Sequence, residues 1–74
     1  MTVEEQIAVA RLRQRLPAPP ERRRLRRLKR VSLAAIAAAC DVSPVSVSRW
    51  ETGDRMPRGD HLREYLKVLG LLRK

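Results

Sequence analysis

Ser43, Pro44, Val45, Ser48 and Arg49 stand close together in the stretch "CDVSPVSVSRWE", residues 40–51. Their chemistry is that of recognition rather than of bond breaking. Serine hydroxyls bond to phosphate oxygens or base edges, a valine touches a thymine methyl, and an arginine grips guanine with two parallel hydrogen bonds. Apart from the arginine these side chains are short, so a helix carrying them brings its backbone close to a partner. The alternation in Val45-Ser46-Val47-Ser48 has the period of a strand. Capping chemistry nevertheless favours a helix over 44–52. Ser43 is a good N-cap, and Pro44 fits the first helical position, where its missing N–H does no harm. Val42 and Val47 have the spacing of a hydrophobic staple. On this helix Val47 and Trp50 face inward. Pro44, Val45, Ser48 and Arg49 face outward, with Ser46 and Thr52 on the flanks.

Positive charge is concentrated elsewhere in the chain. The net charge is +9, and residues 21–32 carry seven basic side chains against one acidic. Such a block points to a polyanion, either nucleic acid or an anionic membrane surface. The membrane reading is the weaker one, because the basic helix at 21–30 has only two leucines to bury. Lys29 and Arg30 close that helix beside the start of the next. Arg55 and Arg58 lie in the loop after Gly53. His61 stands alone, and no set of Cys, His, Asp and Glu has metal-ligand spacing, so no metal is expected. No glycine-rich phosphate loop and no paired nucleophile and base occur, so neither a cofactor nor catalysis is expected. The single cysteine, Cys40, lies in an alanine-rich run and reads as a buried free thiol of a reducing compartment. No stretch is apolar and long enough to span a bilayer, and the N-terminus lacks the pattern of a secretory signal, so a cytoplasmic protein is expected.

The elements that must hold these residues read as helices. Residues 2–16 form the first, with Thr2 and Glu5 in capping-box spacing; Val3 and Ile7 share a face, as do Leu12 and Leu16. Pro17-Ala18-Pro19-Pro20 breaks it as a stiff linker. A second helix starts near Pro20 or Glu21 and runs to about Arg30. Leu25, Leu28 and Val31 form its apolar stripe, and its arginines point to solvent or phosphate. Ser32 caps a third helix, Leu33 to about Cys40, whose buried face is Leu33, Ile36, Ala37 and Cys40. A last amphipathic helix spans Gly59 to Leu69, with Leu62, Tyr65, Leu66 and Leu69 inward and Gly70 as its stop. Between helices three and four, Asp41-Val42-Ser43 is a tight turn in which Asp41 suits a left-handed backbone. Helix, three-residue turn, capped helix is the helix-turn-helix pattern. The chain divides into an accessory helix (1–16), a proline-rich linker (17–20) and a helix-turn-helix DNA-binding domain (21–74).

Over residues 22–71 the sequence resembles the Cro/C1-type, or XRE-type, helix-turn-helix regulators. The matching stretches are "LRRLKRVSLAAIAAACDVSPVSVSRWETGDRMP" and "HLREYLKVLGL". They carry the Ile36-Ala37 pair, Val42-Ser43 at the turn, Trp50-Glu51-Thr52-Gly53 closing the recognition helix, and Pro57 beyond. The resemblance implies an all-α, lambda-repressor-like domain of about four helices plus the extra N-terminal helix. It implies a sequence-specific double-stranded DNA-binding regulator, a phage or bacterial Cro-like repressor that occludes polymerase. Bases are then met by Ser43, Pro44, Val45, Ser48 and Arg49, with Arg49 the main reader. Phosphates are met by Lys29, Arg30, Ser32, Ser46, Thr52, Arg55 and Arg58. Arg26 and Glu51 form a structural ion pair. A homodimer is possible, through Leu71 and Leu72 of the last helix or through the N-terminal helix. No small-molecule ligand is expected. Two departures stand out: Asp41 where the family usually has glycine, and Leu33 where it often has a polar residue. A MerR/excisionase-like domain is the competing DNA-binding reading and requires a β-wing after Gly53. An antitoxin or adaptor that grips a protein with the N-terminal helix is the competitor from another functional class.

Overall fold

The computed structural model describes residues 2–74 and contains five helices: α1 (Val3–Gln14), α2 (Pro19–Leu28), α3 (Leu33–Cys40), α4 (Pro44–Thr52) and α5 (Asp60–Leu72). Three starts are set by a hydroxyl accepting from the amide three residues on. Thr2 caps α1 through the Glu5 N–H at 3.1 Å, Ser32 caps α3 through Ala35 at 3.0 Å, and Ser43 caps α4 through Ser46 at 3.2 Å. Each satisfies an amide that the helix itself leaves unpaired. α2 begins earlier than the sequence pattern suggests. Pro19 and Pro20 are its first two residues rather than linker, because neither position needs an N–H donor and both suit the fixed proline φ.

Two helix ends turn through a left-handed residue other than glycine. Arg30 (φ 56°) follows α2, and Asp41 (φ 57°) follows α3. In both, the next amide reaches back to a last-turn carbonyl: Val31 N–H to Arg26 at 3.1 Å, and Val42 N–H to Ala37 at 3.0 Å. These bonds are those of a Schellman stop. Gly53, at φ 84°, ends α4 beside Pro19, whose Cγ lies 3.3 Å from where a Cβ would stand. A side chain here would meet both backbone strain and the start of α2. Gly70 does not stop α5, which continues to Leu72. Leu72 is buried, and burying a leucine is worth about 1.5–3 kcal/mol. That outweighs the roughly 1 kcal/mol penalty of glycine inside a helix.

The core is Leu25, Ile36, Ala37, Cys40, Val47, Trp50, Tyr65, Leu69 and Leu72, joined by half-buried Leu16, Val31, Leu33, Val42 and Val68. Trp50 and Tyr65 meet as tilted rings with centroids 4.9 Å apart. The stripe expected on α2 is different. Leu28 is 64% exposed, whereas Arg22 is buried and Arg26 half-buried beside Leu25. α1 buries no residue and packs on α5 alone among the helices.

Candidate nucleic-acid interface

α4 is held from behind and open in front. Val47 and Trp50 sink into the core, at 0% and 4% exposure, and Val42 packs against the same core. The C-terminal end of α4 is tied to α2 by two arginines one turn apart. Arg26 donates from Nε and Nη2 to the two carboxylate oxygens of Glu51, at 2.5 and 3.0 Å, and from Nη1 to the Val31 carbonyl at 3.1 Å. This planar, two-bonded geometry fixes orientation as well as distance. Arg22 does different work. Its Nη1 donates to the Trp50 carbonyl at 2.8 Å and its Nε to the Pro17 carbonyl at 2.7 Å. The Trp50 carbonyl belongs to the last turn of α4, where no helical amide is left to serve it. Arg22 therefore caps α4 and pins the chain that enters α2. Burial pulls its pKa below the usual arginine value, with Tyr65 acting the other way; a guanidinium stays charged regardless.

The outward side of α4 presents Pro44, Val45 and Arg49, all exposed, with Ser48 half-buried among them. Val45 is 58% exposed, although it is a large apolar side chain. Ser43 is partly committed: its hydroxyl accepts from Ser46 N–H and shares a 3.1 Å hydrogen bond with the Ser46 hydroxyl. Thr52 donates to the Arg49 carbonyl at 3.1 Å. The guanidinium of Arg49 has no hydrogen-bond partner among the described residues. Of the five residues assigned to bases, it is the one free polar group with reach.

Beside this face lies a cleft between α4 and the segment 55–61. Trp50 and Pro57 form its floor, and Ser46, Arg49, Arg55, Met56, Arg58 and His61 line it. Arg49 of α4 and Arg55 and Arg58 of the following loop thus share one concavity. Trp50 and His61 have ring centroids 6.4 Å apart. Met56, 44% exposed, is a lining residue that the sequence pattern does not single out. The other basic residues assigned to phosphate are placed elsewhere. Lys29 Nζ donates to the Lys74 carbonyl at 2.9 Å, beside the end of α5. Arg30 occupies the left-handed stop of α2, and the Ser32 hydroxyl is engaged as the cap of α3. The structure does not bring these three residues into the α4 cleft. No strand follows Gly53 among the described residues, and 60–72 is helical, so the wing of the competing DNA-binding class is not there. No three of His, Cys, Asp and Glu cluster as metal ligands, and no helix is long and apolar enough to cross a membrane, among the described residues.

A family model described as helix-turn-helix matches residues 23–72, which is most of α2 and all of α3, α4 and α5. No curated protein and no solved structure matches the chain. The five-helix, lambda-repressor-like arrangement and this match agree: the chain belongs to the Cro/C1-type (XRE-type) helix-turn-helix family of double-stranded DNA-binding transcription regulators.

Proposed function

We propose that the protein is a sequence-specific repressor that lays α4 in the major groove of double-stranded DNA and blocks polymerase by occupying the site. One observation carries this reading. The exposed side of α4 has short side chains and a single unpaired arginine, while its opposite side is locked into the core. A helix so fixed delivers Arg49 to a guanine edge at little further entropic expense, and Val45 supplies an apolar contact suited to a thymine methyl. Ser43, Pro44 and Ser48 complete the base-facing set. Ser46, Thr52, Arg55 and Arg58 take phosphates along the cleft rim, and Lys29, Arg30 and Ser32 take phosphates at the α2–α3 junction. Two copies act together on paired half-sites. No small-molecule effector is required, and the protein works in the cytoplasm.

The test is a binding profile of Arg49→Ala against every single-base variant of the preferred duplex. The expected result is a loss of about 1–3 kcal/mol with relaxed preference confined to one base pair. Uniform weakening on every duplex would instead make Arg49 a backbone contact and overturn its role as reader.

A further inference from the structure

α1 has two apolar stripes on opposite sides. One faces the body of the protein: Val9 and Leu12 are half-buried, and Leu16 just beyond packs against the core. The other faces away. Val3 and Ile7 are 70% and 48% exposed, and Ala10 is exposed on the same line. Residues 3, 7 and 10 follow the spacing of a helix-packing face.

Charge around this second stripe is arranged in a telling way. The acids of α2 and α5 pair within their own helices, Glu21 with Arg24, Asp60 with Arg63 and Glu64 with Lys67. Glu4 and Glu5 have no such partner: three and four residues after them stand Ile7, Ala8 and Val9. Glu4 and Arg11 are two helical turns apart, so they lie on the same flank of the stripe, and their midpoint falls beside Ile7. A twofold axis at Ile7 sets two α1 helices antiparallel. It places Glu4 of each copy against Arg11 of the other, with Val3, Ile7 and Ala10 in the seam. The other flank carries Gln6 and Arg13, and the same axis brings Arg13 toward Thr2, an uncharged side chain. Parallel pairing would instead set this flank against the one that carries Glu4 and Arg11 and would leave Glu4 with no cation opposite it. The sign pattern therefore selects a second copy of this chain, in one orientation.

We infer that α1 is a homodimerisation helix, pairing antiparallel with its counterpart through Val3, Ile7 and Ala10 under two Glu4–Arg11 ion pairs. This deepens the homodimer of the proposed function. α1 shares no contact with α4, so pairing leaves both recognition helices uncovered. The seam is short, so the dimer is weak in free solution and is reinforced when both copies occupy one duplex.

The experiment is sedimentation equilibrium of the full chain without DNA, at low salt and over a wide concentration range. It compares the wild type with Ile7→Glu, Glu4→Arg, Arg11→Glu and the double variant E4R/R11E. The expected result is a concentration-dependent dimer that each single charge reversal weakens by about tenfold, since two attractive pairs become two repulsive ones. The double variant restores it, and Ile7→Glu abolishes it. All these side chains are exposed, so melting curves stay close to wild type. Three outcomes overturn the inference: a wild type monomeric throughout, a dimer indifferent to the single reversals, or a double variant that fails to recover. A monomer that instead binds a different protein through Ile7 overturns it equally. Each variant is also titrated on a single half-site, where one copy binds and pairing of α1 plays no part, so failure of the dimer leaves the reading of α4 standing.

Discussion

Arg22 and Arg26 lie one turn apart on α2, and both reach α4, but they serve different chemistry. Arg26 meets a carboxylate, whereas Arg22 meets two backbone carbonyls that have no other donor to hand. Replacing Arg22 with methionine keeps the apolar stem and removes both bonds. Unfolding in urea should show a loss of about 2–4 kcal/mol, because one buried and one part-buried carbonyl are stranded; a loss under about 0.5 kcal/mol would make Arg22 a surface residue in energetic terms. Tyr65 raises a different expectation. It is fully buried, its hydroxyl has no hydrogen-bond partner among the described residues, and burial first, then the Glu51 carboxylate, push its pKa from 10.0 up to about 12. A raised folded pKa means that the folded state keeps its proton when the unfolded state has lost it. The associated stability is complete below pH 10 and drains away as pH rises toward about 12, at up to about 1.4 kcal/mol per pH unit. Burial, with a smaller effect of Glu64, also raises the Cys40 thiol above its ordinary 9.0, so it acts in the same direction. Melting curves taken upward from pH 10 should fall more steeply for the wild type than for Tyr65→Phe, and parallel curves would exclude Tyr65 as the cause.

At the scale of elements, the ends of the helices distinguish what a residue type can announce from what only packing decides. Ser32, Ser43 and Pro44 are legible in the sequence because one side chain, or one missing N–H, settles each start. The left-handed turn at Asp41 is legible for the same reason. The start of α2 and the end of α5 are less so, because four successive residues of the Pro17–Pro20 stretch read equally as linker, and the end of α5 depends on a distant partner. Pro19 and Pro20 join α2 while Pro19 abuts Gly53, and α5 overruns Gly70 because Leu72 has a place in the core. Arg22 was hidden among neighbours of identical type, its one signal being that it precedes the core residue Leu25 by three positions. The two left-handed turns that flank α4 make opposite predictions. Asp41→Gly removes backbone strain and should raise stability by up to about 1 kcal/mol. Gly53→Ala adds strain and crowds Pro19, and should lower it by about 1 kcal/mol or more. Thermal unfolding of the pair checks both, and equal melting temperatures would refute the backbone argument.

For the whole molecule, the question is how a net charge of +9 is divided between attraction and recognition. Arg55 and Arg58 rim the cleft beside α4, while most arginines of α2 point elsewhere or inward. Composition announces a polyanion partner, but it cannot show that Arg49, Arg55 and Arg58 converge on one concavity; that requires the chain reversal between α4 and α5. Arg55→Gln and Arg58→Gln should each lower affinity on all duplexes alike and flatten the log–log salt dependence by about one unit. A variant that changed base preference instead would place that arginine at a base edge. The most direct measurement of the central claim, that the outer side of α4 reads sequence, is selection of bound duplexes from a random pool, followed by titration of the enriched duplex against unselected DNA at several salt concentrations. The expected result is a recurrent sequence bound more tightly than bulk DNA at every salt concentration, with a gap that persists as overall affinity falls. Equal binding to all duplexes, with a salt slope alone to describe it, would contradict it.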